Sequence, residues 1–136
     1  MQELSLNILD VAQNSVRAGA TLTEITVDEQ PADDRLTISI RDNGCGMAPE
    51  QVRRGTDPFF TTRTTRKVGL GIPFFRMAAQ LTGGDLTIRS EVGAGTTVTA
   101  TFGLSSIDRM PLGDINGTIS ALVQCNPDID WVYTRR

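Results

Sequence analysis

The order of predicted elements in this chain of 136 residues indicates an α+β fold, in the form of a two-layer α/β sandwich. Two segments with helical apolar periodicity each precede a pair of alternating β-type runs, and these pairs predict two antiparallel hairpins. Such a pattern places helices on one face of a mixed, mostly antiparallel sheet. The length suits a single domain with one hydrophobic core.

The first helix is predicted over residues 3–18, which contain neither Gly nor Pro and are followed by Gly19 as a left-handed stop. Nearly all of its positions are apolar or small, so we expect a largely buried helix. The exception is a polar stripe, which faces either solvent or a ligand cavity. The members of the stripe share an arc of about 80°; they are Glu3, Asn7, Asp10, Asn14 and Arg17.

Residues 21–29 and 35–43 are alternating runs joined by Pro-Ala-Asp-Asp, and they predict an antiparallel hairpin. In the second run Asp42 has the same parity as Ile38 and Ile40. Strand geometry therefore directs its carboxylate toward the apolar side of the sheet. A carboxylate on that side needs a polar partner.

Residues 44–71 form an irregular stretch rich in Gly, Pro, Thr and Arg, too long for a simple connection, and they predict a functional lid. A second helix is predicted over residues 72–81, with Pro73 in its first turn and Gly83 and Gly84 beyond its end. The remaining elements are a hairpin from residues 85–91 and 96–102, a short helix over residues 114–124 and a strand over residues 130–134.

Composition excludes several classes of function. A net charge of −3 without a basic block argues against an electrostatic nucleic-acid surface, and no apolar run is long enough to span a membrane. No secretory signal is visible, so we expect a cytoplasmic protein. Cys45 and Cys125 lie far apart and outside any Cys-x-x-Cys spacing, which favours reduced thiols. Histidine, the commonest general base, is absent.

The hexapeptide Asp42-Asn-Gly44-Cys-Gly46-Met47 combines an inward carboxylate with two glycines that let backbone approach a flat ligand. A carboxylate beside close backbone suits adenine, because it can accept the proton of the exocyclic amine. Met47 can supply an apolar wall. Asp-Asn-Gly also begins ordinary turns, so a purely structural turn stays open.

Asp10 and Asn14 stand one turn apart on the same face of the first helix, so an acid and a neutral oxygen can converge on one ion or water. Magnesium favours oxygen ligands of this kind. The alternative is that the stripe is only a solvated edge.

Gly69-Leu70-Gly71 stands directly before the second helix, where free N–H groups and the positive end of the helix dipole attract phosphate. This signal is weak on its own. The chain has no Gly-x-x-x-x-Gly-Lys run, and no strand precedes this segment, which excludes Walker-type and dinucleotide-binding loops.

Five such motifs occur in one order along the chain. They are Asp10-Val-Ala-Gln-Asn14-Ser-Val-Arg17-Ala-Gly, Asp42-Asn-Gly-Cys-Gly46, Asp57-Pro-Phe-Phe-Thr-Thr62, Gly69-Leu-Gly71 and Gly95-Thr96-Thr97. Together they resemble the N box, G1 box, F box, G2 box and closing Gly-Thr element of the GHKL superfamily. The resemblance spans about residues 3–103; from Asp57 through Phe102 it is closest to sensor histidine kinases, whereas the first helix is more similar to the MutL type.

The resemblance implies a Bergerat-type ATP-binding domain over residues 1–103 that uses ATP and Mg²⁺. Residues 104–136 lie outside the recognised motifs, and we expect them to form a helix-strand extension packed on this domain, with a docking surface as the alternative. Asp42 would bind the adenine amine with support from Thr96, and Asn14 would hold the magnesium ion. The other implied roles are Gly44, Gly46 and Met47 along the base, Arg17 on a phosphate, Phe59, Phe60 and Thr62 as lid anchors, and Lys67, Val68, Gly69, Leu70 and Gly71 around the triphosphate.

Three features depart from the family pattern. Lys67 replaces the first glycine of the G2 box, so we expect either a stiffer lid or an ammonium group that contacts the γ-phosphate. Asp10 stands where hydrolysing relatives carry glutamate and many histidine kinases carry asparagine. These 136 residues contain neither the phospho-accepting histidine nor its dimerisation helices, so we expect no self-phosphorylation on histidine.

Two functions follow as hypotheses. The first is a kinase-type domain that binds Mg-ATP and transfers the γ-phosphate to a separate protein, with Asp10 as the catalytic group. The second is an ATP-gated interaction switch, of an anti-sigma or weak ATPase kind, with little turnover. Either needs a protein partner, and a homodimer stays open.

Overall fold

The computed structural model describes residues 4–46, 71–106, 109 and 111–136. The helices in these ranges are α1 (Leu4–Arg17), α2 (Gly71–Leu81) and α3 (Ile115–Cys125), and the strands are β1 (Leu22–Gln30), β2 (Arg35–Asp42), β3 (Asp85–Glu91), β4 (Gly95–Gly103) and β5 (Asp130–Arg135). None of these helices has the length and apolar character needed to span a bilayer.

The strands form one sheet in the order β3-β4-β2-β1-β5. Every neighbouring pair is antiparallel except β1 and β5, which run parallel. The predicted mixed, mostly antiparallel sheet is therefore confirmed, and so is the α+β sandwich.

A single hydrophobic core lies between the sheet and the three helices. Alternate residues of each central strand point into this core, which is the period expected when one face of a sheet is covered and the other is solvated. The largest fully buried side chains include Phe75 of α2, Phe102 of β4, Leu4 and Ile8 of α1, Ile25 of β1, Ile38 and Ile40 of β2 and Leu122 of α3.

Several element ends differ from the predicted ones by one or two residues, and side-chain caps explain two of these differences. Asp114 precedes α3 instead of belonging to it, because its carboxylate accepts a hydrogen bond from the Gly117 amide at 2.9 Å as an N-cap. Asn43 lies just past β2, where its side-chain oxygen accepts hydrogen bonds from the backbone amides of Thr21 at 2.8 Å and Leu22 at 3.0 Å.

The C-terminal segment is joined to the first helix. The amides of Leu4 and Ser5, in the first turn of α1, donate to the carbonyl oxygens of Pro111 and Leu112 at 2.9 Å each. These bonds satisfy donors that a helix start leaves free. Ile115 and Leu122 of α3 belong to the common core, whereas the boundary between residues 103 and 104 stays a prediction.

Strand register sets a polar row at one end of the sheet, on the helix-covered face. Asp42, the last residue of β2, pairs with Thr23 on one side and with Thr96 on the other. Thr96 in turn pairs with Ser90 of β3. The sheet thus positions four polar side chains beside each other where its apolar core ends.

Candidate functional site

The carboxylate of Asp42 is held by two donors. Ser15 Oγ donates to Oδ2 at 2.6 Å, and the Gly44 amide donates to Oδ1 at 2.8 Å. The side chain is half-buried on the face that α1 covers. Each ionised carboxylate oxygen has two lone pairs, so both oxygens can still accept a further donor from a ligand.

Ser15 was not among the predicted site residues. It is 2% exposed and follows Leu4, Ile8 and Val11 on the buried side of α1. A hydroxyl at a core position of an amphipathic helix needs a polar partner, and this was the available signal in the sequence. Ser15 is a positioning residue, since its hydroxyl group orients the Asp42 carboxylate from the buried side of α1.

We expect Ser15→Ala to weaken ATP and ADP binding by the same factor, about tenfold, because the Asp42 carboxylate loses a charge-assisted hydrogen bond. Calorimetric titration with both nucleotides measures this. Ser5→Ala is the matched control, since Ser5 is an equally buried serine on the same helix. Unchanged affinity in a folded Ser15→Ala variant would remove Ser15 from the site.

The loop after β2 is fixed by contacts with the rest of the chain. The Cys45 amide donates to the Ala18 carbonyl at 2.9 Å, and the Gly93 amide donates to the Cys45 carbonyl at 2.7 Å. This loop therefore joins the end of α1 to the turn between β3 and β4.

The two glycines of this loop are required by close packing of the chain on itself. A Cβ atom on Gly44 would lie 2.7 Å from the Ala18 Cβ. One on Gly46, whose φ is +73°, would collide with the Glu91 carbonyl oxygen. The sequence interpretation gave these glycines a role in ligand approach, and the structure supplies a different physical reason for them.

Thr96 and Ser90 line the same cavity as Asp42. Their hydroxyl oxygens are 2.8 Å apart, and Ser90 Oγ also donates to the Gly95 carbonyl at 3.1 Å. The cavity is open and has a volume of about 660 Å³, which is within the range of small-molecule sites. The lining also includes Arg41, Arg89 and Thr97, whose strand parity is opposite to that of Asp42, and none of the described lining residues belongs to α1.

The predicted polar stripe on α1 is related to Asp42 through the helix, because Asn14 is the sequence neighbour of Ser15, whose hydroxyl contacts Asp42. Arg17 Nη1 donates to Asn14 Oδ1 at a long 3.4 Å, and both side chains are accessible to solvent. Partial burial raises the pKa of Asp10, and the Arg17 guanidinium acts in the opposite direction. An acid, an amide and a cation thus follow one another on successive turns.

The donor set fits a magnesium ion that a nucleotide brings with it. Among the described residues, no cluster of three or more His, Cys, Asp or Glu could hold a metal ion alone. Magnesium keeps several waters and is commonly bound through one or two protein oxygens plus substrate phosphates. Among the residues that the structure describes, Asn14 Oδ1 accepts only the long hydrogen bond from Arg17, and it is a suitable protein ligand.

Part of the predicted site falls outside the described residues. Gly71 is the first residue of α2, and Asp10, Asn14, Arg17, Asp42, Gly44, Gly46 and Thr96 lie in α1, in β2 and its following loop, and in β4. Those outside are Met47, Phe59, Phe60, Thr62, Lys67, Val68, Gly69 and Leu70.

Comparison with known proteins gives matches to one family. The family model described as histidine kinase-, DNA gyrase B- and HSP90-like ATPase matches residues 1–106. A sensor protein of Shewanella frigidimarina is 35% identical over 109 residues, which are 79% of this chain and 17% of that protein. The histidine protein kinase DivJ of Caulobacter vibrioides is 34% identical over 95 residues, 67% of this chain and 16% of the kinase.

The sensor protein SrrB of Staphylococcus aureus is 33% identical over 102 residues, 71% of this chain and 17% of SrrB. The chain therefore spans only about a sixth of the length of these relatives. The family match covers both helix α1 and the sheet end where Asp42 and Thr96 lie. The chain belongs to the histidine kinase-, DNA gyrase B- and HSP90-like ATPase family and carries the ATP-binding domain of that family.

Proposed function

We propose that this domain binds Mg-ATP and transfers the γ-phosphate to a residue of a separate protein. The observation that carries the proposal is the Asp42 carboxylate, held by Ser15 and Gly44 beside the polar stripe of α1. One end of this arrangement suits adenine, and the other end suits phosphate and a divalent ion.

At the adenine end, the Asp42 carboxylate accepts a hydrogen bond from the exocyclic amine of the base. Thr96 supplies a hydroxyl group at the same end of the sheet. The two residues are direct neighbours across β2 and β4. Gly44 and Gly46 place backbone close to the ring. Met47 is proposed to complete this wall.

At the phosphate end, Asn14 holds the ion and Arg17 contacts a phosphate oxygen. Bound Mg²⁺ would neutralise the phosphate charge that develops during transfer. Both side chains are accessible on α1, and their mutual hydrogen bond of 3.4 Å is weak enough to be exchanged for ligand contacts. Phe60, Thr62 and the run Lys67–Gly71 are proposed to cover the triphosphate.

Asp10 is proposed as the general base. The acceptor hydroxyl oxygen forms a bond to the γ-phosphorus, the bond from that phosphorus to the bridging oxygen of ADP breaks, and Asp10 takes the hydroxyl proton. This role suits a Ser or Thr acceptor. Its raised pKa improves Asp10 as a proton acceptor, since a more basic carboxylate binds the proton more strongly.

The partners we propose are ATP, ADP and one protein acceptor, without nucleic acid or membrane. The net charge of −3 is unfavourable for a phosphate backbone. Cys45 and Cys125 are free, exposed thiols, and such thiols suit a reducing compartment, so we place the protein in the cytoplasm.

The alternative function is an ATP-gated interaction switch with little turnover. Asp10 favours it in one respect: its carboxylate is one methylene shorter than the glutamate of hydrolysing relatives, so it can fall short of the attacking group. A switch would bind its partner differently in the ATP and ADP states without transferring phosphate.

We expect Asn14→Ala to weaken magnesium-dependent ATP binding more than metal-free ADP binding, because the proposed partner of the amide is the ion. Titrations of both nucleotides, with magnesium and with a chelator, measure the difference. Asn7→Ala, on the same stripe but two turns earlier, is the control. An equal loss in both titrations would mean that Asn14 is structural.

Label transfer separates the two functions. A partner protein is first captured on the chain while the chain holds a non-hydrolysable ATP analogue. The partner is then purified and mixed with fresh chain and γ-labelled ATP. The kinase proposal predicts that the partner acquires the label and that ADP is released only when the partner is present. A partner whose binding follows the nucleotide but which never acquires label would refute transfer and support the switch.

A further inference from the structure

Strand β5 forms one edge of the sheet, and no strand of the described ranges pairs with its outer side. The amides of Asp130 and Arg136 donate inward, to the carbonyl oxygens of Thr21 at 2.8 Å and Val27 at 2.9 Å. Because strand backbone alternates, the N–H and C=O groups of Trp131, Tyr133 and Arg135 point outward. This edge can therefore accept another strand.

The edge carries charges only at its two ends. Its sequence, Asp-Trp-Val-Tyr-Thr-Arg, contains no Pro and no Lys, and between Asp130 and Arg135 it consists of aromatic and β-branched residues. Val132 is 44% exposed on the face away from the helices. An edge strand with this uncharged middle section indicates an interaction surface.

We propose that this edge binds β5 of a second copy of this chain in antiparallel orientation, with the two Tyr133 residues opposite each other at the two-fold axis. This register places Asp130 opposite Arg136 of the second copy, and by symmetry Arg136 opposite the other Asp130. Both residues lie on the face away from the helices, so opposite charges meet twice. Val132 lies opposite Thr134 between them.

The same register also matches the helix-covered face. On that face Trp131 lies opposite Arg135 of the second copy, so a cation is placed beside an aromatic ring. The two-fold symmetry produces this pair twice. All the outward backbone groups are then paired, because Trp131, Tyr133 and Arg135 oppose one another.

Neighbouring registers match less well. If Val132 faces itself, Asp130 lies opposite Thr134, and Arg136 is level with Asp128, which belongs to the turn before β5 and lies outside the paired strand. If Thr134 faces itself, Asp130 passes beyond the paired strand. The charges of β5 thus select the register centred on Tyr133.

The two arginines of this edge also have partners within the chain. Arg135 Nη2 donates to Glu29 Oε1 at 3.1 Å, and Arg136 Nη1 lies 4.0 Å from Asp28 Oδ2. Their side chains are 48% and 67% exposed, and each guanidinium group has further N–H donors for a second copy. An antiparallel contact between two identical strands is isologous, so it closes as a dimer.

Charge exchange tests the proposed register. Analytical ultracentrifugation of the chain should show a reversible dimer, whose small interface predicts moderate affinity. Asp130→Arg and Arg136→Asp should each raise the dissociation constant about tenfold, since each dimer contains two such pairs. The double variant should restore the dimer. Asp128→Arg, an exposed charge just before the strand, is the matched control.

Val132→Lys provides a second variant that does not depend on the charge pairs. Its position is exposed, so the fold should be retained, while two ammonium groups near the axis should make the chain monomeric. A wild-type chain that is monomeric at every concentration would overturn the proposal. So would a dimer that keeps its affinity in both charge variants and in Val132→Lys, with unfolding temperatures confirming that each is folded.

Discussion

Asp10→Asn should lower phosphate transfer by about 10²–10⁴-fold while leaving ATP affinity nearly unchanged, because a general base acts on the proton and not on nucleotide binding. An amide is close in size to the carboxylate but cannot take the proton. Single-turnover rates with γ-labelled ATP and captured partner measure the chemical step, and titration measures the affinity.

The stability of this variant provides an independent control. Burial raises the pKa of Asp10 in the folded chain, so protonation favours the folded state and the ionised carboxylate costs stability at pH values above both pKa values. Asp10→Asn should therefore unfold at the wild-type temperature or higher at neutral pH. The difference in unfolding temperature between Asp10→Asn and the wild-type chain should disappear as the pH falls through the acid range, because the wild-type carboxyl group is then protonated as well. A lost rate in a variant of undiminished stability then reports chemistry.

Catalysis by Asp10 would be refuted if the wild-type chain transfers phosphate and Asp10→Asn matches its rate. A variant that loses ATP affinity in parallel with rate would place Asp10 in the binding of magnesium or phosphate instead.

Asp42→Asn should weaken ATP and ADP binding alike, by roughly 10- to 150-fold, the equivalent of losing a hydrogen bond to a charged group. Ser15 Oγ and the Gly44 amide both donate to the carboxylate. An asparagine has only one acceptor oxygen, so one of these donors would face an NH₂ group. The remaining geometry would no longer suit the adenine amine.

Calorimetry on a folded Asp42→Asn variant is the measurement, and Asp33→Asn, an exposed acid in the turn between β1 and β2, is the control. If Asp42→Asn keeps wild-type affinity for both nucleotides, the assignment of the adenine end is wrong. If ATP affinity falls and ADP affinity does not, Asp42 acts at the phosphates.

Strand parity was sufficient to predict which face of the sheet carries Asp42, because a two-residue period leaves only two choices. The two hairpins and the helices also followed from local periodicity and from Gly and Pro positions. Ser15 carried a signal as well, a hydroxyl on a buried helix face, and its partner Asp42 lies 27 residues away in sequence.

Other features had no local signal. The carbonyl groups of Pro111 and Leu112 meet the start of α1 from more than a hundred residues away, and neither segment shows this in its sequence. The parallel pairing of β5 with β1 is equally non-local. The packing role of Gly44 and Gly46 depends on Ala18 and Glu91, which only the folded chain brings near.

A crystal structure of the chain with Mg²⁺ and a non-hydrolysable ATP analogue tests the proposed site most directly. We predict the adenine amine within about 3 Å of an Asp42 carboxylate oxygen, with the ion on Asn14 Oδ1 and the triphosphate along α1. An analogue bound elsewhere on the chain, or an adenine amine held by an acceptor other than Asp42, would contradict the proposed nucleotide site.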